Sequence, residues 1–351
     1  LDTTDPAAPE LLWTFQGGHD GESHNGDIVD SRRWWLPSGG RNLTEGGQSL
    51  KNGLRIYDLN PLLQTPAAAP AVLFRGDPVE LWAASPHRGD RPVGAPFTHT
   101  HDITVYPDLE VGGVQRDIAL LAEGGDYSNN SGNTGSMFVI DITDPRNPVV
   151  LQRWLHERGP GHHPIRYHHE AQFLDADPRV VLVTDEDLHN GCRAGGVTAI
   201  RLTEDLTSAT ELSEWFIGDD GSTFAPVCSV HVFSSHGNLA FFGSYNAGVQ
   251  VVDYSAPTRP RKVAHNVQLG ADTWGADYRR GGFVYAGDFG GRGLDAFRYA
   301  GPRPDYAVLS PTFEGGRRTT IIRTTVGNRG DLGSPATQVE FRDGDEVLGR
   351  R

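Results

Sequence analysis

One phrase recurs along the chain and limits what it can fold into. An apolar segment alternating with polar positions, often opened by glycine, runs into Asp, a short polar step and then Pro. It reads Leu1-Asp-Thr-Thr-Asp-Pro6, Gly53-Leu-Arg-Ile-Tyr-Asp-Leu-Asn-Pro61, Met137-Phe-Val-Ile-Asp-Ile-Thr-Asp-Pro145 and Gly248-Val-Gln-Val-Val-Asp-Tyr-Ser-Ala-Pro257. Degenerate copies stand at Gly196-Val-Thr-Ala-Ile-Arg-Leu202 and Gly293-Leu-Asp-Ala-Phe-Arg-Tyr299. A period of two is the spacing of a β-strand, and the residue before Pro, together with the missing Pro N–H, stops the strand. Repetition of one such unit along a chain predicts a radial or linear array.

Upstream of most copies lies a second apolar strand, as at Ile118–Ala122, Val180–Thr184, Leu239–Gly243 and Phe283–Gly287, and before it a third that often opens on histidine. Each unit is then a meander of three or four strands, about one propeller blade, and it buries its faces only by stacking on its neighbours. The 44 glycines and 23 prolines among 351 residues suit many short strands and disfavour long helices. The expectation is an all-β chain: a β-propeller of about six or seven blades over residues 1–305, followed by a short β-hairpin extension over 306–351.

Val251-Val-Asp-Tyr-Ser-Ala-Pro-Thr-Arg-Pro260 and Val139-Ile-Asp-Ile-Thr-Asp-Pro-Arg-Asn-Pro148 carry a likeness: this part of the chain resembles the LVIVD-repeat β-propellers common among secreted bacterial proteins. The resemblance covers about residues 1–300. It implies the fold, while propellers host unrelated activities. Thr319-Thr-Ile-Ile-Arg-Thr-Thr-Val-Gly-Asn-Arg-Gly330, followed by Thr337–Asp345, resembles the opening hairpin of a CARDB-type β-sandwich. As a truncated second domain, a ring-closing segment or a strand donor to another chain, that tail has three readings.

A formal net charge of −14 argues against nucleic acid or an anionic membrane as partner. No run of about 18 apolar residues spans a bilayer, and no charged-then-apolar leader opens the sequence, so export would require a signal already removed. Cys192 and Cys228 are the only cysteines. A disulfide between them, in a secreted or cell-surface protein, is favoured over two buried thiols.

Several of the fourteen histidines fall at the same place in successive units, the start of the first strand. They are His24, His99 and His101, His168 and His169, and His231. In a propeller the first strand of each blade lines the central channel, so histidines some 60 to 80 residues apart converge. His101, His169 and His231 are the leading metal ligands, His24, His99 and His168 further candidates, and Asp102 and Glu170 the carboxylates that orient or join them. An imidazole-rich set suits copper, zinc or iron, whereas calcium asks for mostly oxygen ligands. The alternative is a ring of neutral histidines hydrogen-bonded across blades with no ion. Asp185-Glu186-Asp187 reads as a polar strand end before a calcium site, because three consecutive side chains alternate in direction. His162 and His163 sit in a turn-rich loop.

No nucleophile elbow, phosphate loop, HExxH or dinucleotide fingerprint occurs. Two functional readings remain: a metal-dependent oxidoreductase or lyase acting on a small molecule in the channel mouth, and a non-catalytic extracellular binding or assembly module facing a protein.

Overall fold

A computed structural model describes most of residues 53–301, with gaps at 66–67, 69, 95–96, 98, 126–134, 157–166 and 280, and shorter stretches on either side. The Leu1–Pro6 copy apart from Asp5, and His24, His162 and His163, lie outside the described residues.

The first sheet joins β1 (Gly26–Val29), β2 (Trp34–Pro37), β5 (Leu54–Asp58) and β6 (Ala71–Gly76), with the small hairpin β3 (Leu43–Glu45) and β4 (Gln48–Leu50) inserted. Helices α1 (Asn60–Gln64) and α2 (Pro78–Ala84) follow β5 and β6. The second sheet comprises β7 (His99–Val111), β8 (Val114–Gly124), β9 (Ser136–Asp141) and β10 (Val149–Trp154). In the third are β11 (His168–Leu174), β12 (Asp177–Asp185), β13 (Val197–Leu202) and β14 (Ala209–Trp215). The fourth holds β15 (Phe233–His236), β16 (Leu239–Gly243), β17 (Val249–Asp253) and β18 (Arg261–Asn266). A three-stranded sheet of β19 (Thr273–Arg279), β20 (Phe283–Asp288) and β21 (Gly293–Arg298) follows. Every one is an antiparallel meander, and β1, β7, β11, β15 and β19 contact one another in turn, the arrangement of inner strands in a β-propeller.

The recurring phrase is the third strand of each sheet: β5, β9, β13, β17 and β21. Strand spacing and the Asp-Pro stop are therefore realised. The count of six or seven blades is not. The described residues form four four-stranded blades and one three-stranded sheet, because each of these five sheets takes one copy of the phrase as its third strand. Beyond residue 305, β22 (Tyr306–Val308) pairs with β25 (Val326–Asn328), β23 (Thr312–Gly316) with β24 (Thr319–Arg323), and β26 (Glu340–Asp343) with β27 (Glu346–Arg350). Among the described residues, Thr319–Arg323 pairs with the upstream strand β23.

Between successive sheets lie four apolar wedges, each drawing residues from both neighbours. Ile118, Leu120, Met137 and Val139 of the second sheet meet Val181, Val183 and Ile200 of the third, with Leu120 and Val181 fully buried. Trp154 and Trp215 fill such wedges, as expected of large aromatics. Cys192 and Cys228 form a disulfide with Cα atoms 4.8 Å apart, tying the connection between β12 and β13 to the segment that enters β15.

Candidate metal centre

His101 lies on β7, His169 on β11 and His231 just ahead of β15, so three sheets each deliver one imidazole to the convergence of the inner strands. Two β-bulges aim His101 and His169. On β7, Thr100 faces Glu123 and Asp102 faces Ala122, which makes His101 the extra residue. On β11, His168 faces Asp185 and Ala171 faces Val183, leaving one residue of β12 opposite His169 and Glu170. A bulge turns a side chain out of the regular alternation, and neither is visible as a motif in the sequence. All three histidines are buried. Their rings form a row, His169 standing 4.0 Å from both His101 and His231 by ring centroids.

Backbone carbonyls fix two tautomers. His101 Nδ1 lies 3.1 Å from the His169 carbonyl oxygen, and His231 Nδ1 lies 2.6 Å from that of Trp274. A carbonyl only accepts, so each Nδ1 carries the proton and each Nε2 keeps its lone pair for a ligand.

The carboxylate of the centre is Glu186. Ligand atoms of His101, His169 and Glu186, all three buried, lie within 4.8 Å of one another, a group that could hold a metal ion. His231 Nε2 stands 3.7 Å from Glu186 Oε1, beside the same carboxylate. Glu186 comes from the acidic triplet read as a polar strand end. Alternation is what singles it out: Asp185 accepts from Tyr167 N and Asp187 from His189 N at 2.9 Å, while Glu186 between them turns to the histidines. Its backbone N–H donates to Tyr167 O at 3.0 Å, which sets the register.

Two tyrosines complete the surroundings. Tyr245 donates its hydroxyl to Glu186 Oε1. Burial, and then the Glu186 charge, push the Tyr245 phenol up, and burial does the same for Tyr167, so both remain protonated donors. Tyr245 also holds φ at 46°, in the left-handed region that costs a side-chain-bearing residue about 1–2 kcal/mol. Its backbone is fixed by mutual hydrogen bonds with Thr273, at 2.7 and 3.0 Å.

The other expected ligands stand apart from this group. His99 is half-buried with Nε2 2.8 Å from the Tyr167 hydroxyl, at the edge of the cluster. His168 points into the wedge, its ring 5.2 Å from that of Trp154. Asp102 and Glu170 form a buried acidic pair of their own. Asp102 accepts from Ile103 N at 2.7 Å and Asn25 Nδ2 at 2.8 Å, and Glu170 accepts from Phe233 N at 2.9 Å and Gln172 Nε2 at 2.5 Å. Burial pushes Asp102 up to about 7, and burial followed by the Asp102 charge raises Glu170 well above the ordinary carboxylate range.

No protein-family model and no curated protein matches the sequence. Among solved structures, the β-propeller domain of Myceliophteria thermophila Cps50 (Swd1) is similar at 10% identity over 76% of this chain and 67% of that one, with a TM-score of 0.45. A protein from Lactobacillus plantarum is similar at 13% identity over 78% and 67%, with a TM-score of 0.47. XC5397 from Xanthomonas campestris, a gluconolactonase, is similar at 10% identity over 78% and 70%, with a TM-score of 0.43. At this level of likeness the chemistry must be read from the chain's own residues.

Proposed function

We propose that the chain is an extracellular propeller protein that holds a transition metal, copper, zinc or iron, between His101, His169 and Glu186, with His231 beside it as a fourth ligand or proton acceptor. The observation that carries this reading is the buried convergence of those ligand atoms within 4.8 Å. Two Nε2 lone pairs already directed by carbonyl-bound Nδ1 atoms support it, and the Cys192–Cys228 disulfide supports an oxidising compartment. A bound ion supplies Lewis acidity or redox chemistry, and the Tyr245 hydroxyl and His231 are placed to hand over or take up a proton beside it. The reaction class that follows is a metal-dependent oxidoreductase or lyase acting on a small molecule.

Elemental analysis after incubation with copper, zinc or iron and removal of free ion tests the reading. The His101→Ala/His169→Ala double variant loses one equivalent relative to the parent at unchanged circular dichroism. Retention in the parent weakens as pH falls through about 6.5, because a protonated imidazole has no lone pair to donate. Equal metal content in parent and variant overturns it.

A second reading, a binding or assembly module, draws on one surface. Phe283, Tyr285 and Leu294 are exposed on one face of the β19–β21 sheet, paired across strands with small or polar residues.

A further inference from the structure

A second cluster of metal-ligating side chains lies at the outer edge of the propeller. His156 follows β10, the last strand of the second sheet, and Glu211 and Glu214 stand on β14, the last strand of the third. Residues three apart on a regular strand face opposite ways. Here Glu211 pairs with Ile200, Ser213 with Ala199 and Glu214 with Thr198, so Leu212 is an extra residue and the bulge returns both glutamates to one face. Ile200 packs in the wedge between the second and third sheets, and that face therefore looks toward His156.

We propose that His156, Glu211 and Glu214 bind a divalent zinc-like cation that braces the second sheet to the third. Their ligand atoms lie within 4.8 Å of one another, and His156 Nδ1 is 3.4 Å from Glu211 Oε2. Two ligands of a tetrahedral zinc, each about 2.1 Å from the ion, stand about 3.4 Å apart. Glu214 Oε1 lies 3.7 Å from Nε2, the ring's other nitrogen, so its carboxylate has to swing across the ring edge to join an ion held on Nδ1. The imidazole is 1% exposed, and two carboxylates face it at the mouth of an apolar wedge. A divalent ion offsets more negative charge there than a single proton on His156 does. Glu211 is 28% exposed and gives the ion a way in from solvent, with the fourth position left to water. The Trp154 ring lies 5.5 Å from His156 and 5.2 Å from His168, the neighbour of His169, so the brace joins the two sheets that supply His101 and His169.

The test uses zinc alone, with metal counted after gel filtration at micromolar free zinc. His156→Gln and, separately, the milder surface change Glu211→Gln are made both in the parent and in the His101→Ala/His169→Ala background. Each is expected to lose one equivalent in either background. Added zinc should raise the melting temperature of the central double variant and leave unmoved that of the same protein carrying Glu211→Gln. Unchanged zinc content on both outer substitutions overturns the site, as does a destabilisation by His156→Gln that zinc does not influence, which marks an imidazolium bridge instead. Loss of the outer ion alone, with the central ion absent throughout, supports this site while sinking the central reading.

Discussion

Glu186 shows how much of a site hangs on one side chain's direction. Its carboxylate lies beside His101, His169 and His231, and Tyr245 donates to its Oε1. Tyr245→Phe removes that donor at nearly constant volume. It should weaken metal retention by about 10- to 100-fold, the usual effect of losing a hydrogen bond to a ligand, as read by chelator competition. Unchanged affinity would detach the hydroxyl from the centre. Asp102 makes a separate prediction. Its folded-state pKa is raised from 3.8 to about 7, so the protonated form is what the fold favours. The stability it lends is complete below about pH 4 and is lost as pH rises through about 7. Asp102→Asn should flatten the fall in denaturation midpoint over that window, and identical slopes in parent and variant would refute the assignment. The histidines were legible in the sequence because they occupy equivalent strand starts. Glu186 was not, since choosing among three adjacent acids requires the register set by the Tyr167 carbonyl.

Among the elements, bulges account for what strand periodicity missed. His101, His169 and the Glu211–Glu214 pair all sit where one strand carries an extra residue, and a bulge leaves the apolar alternation on either side intact. The third strands β5, β9 and β17 were legible for the opposite reason, since each ends on Asp shortly before a Pro stop. The disulfide acts at this scale, fixing the β12–β13 connection against the start of the fourth sheet across a separation of 36 residues. Replacing both cysteines by serine should cost about 2–4 kcal/mol. Denaturant titration reads that loss, and a cost below about 0.5 kcal/mol would mean that the wedge between those sheets holds the junction alone.

For the molecule as a whole, the wedges are the cohesive units. Leu120 is fully buried where the second sheet meets the third, and Leu120→Ala should cost about 2–5 kcal/mol, measured as a drop in melting temperature. Because the two sheets at that wedge carry His101 and His169, the same variant should also release metal at a lower temperature than the parent; release at the parent temperature would show the centre to be independent of how the sheets dock. The number of blades was less legible than their existence, since a repeat marks a unit wherever it occurs but does not say how many strands the last unit keeps. One feature of the centre bears on the protein's maturation. Its groups span His101 to Tyr245, drawn from three sheets that are contiguous in sequence, so during synthesis the amino-terminal sheets can fold while the cage still lacks a wall. The full set of donors comes into being only once Tyr245 has emerged. A chain threaded unfolded across a membrane would therefore meet the proposed ion on the far side, and the supply of metal there, not in the compartment of synthesis, would decide what the site carries.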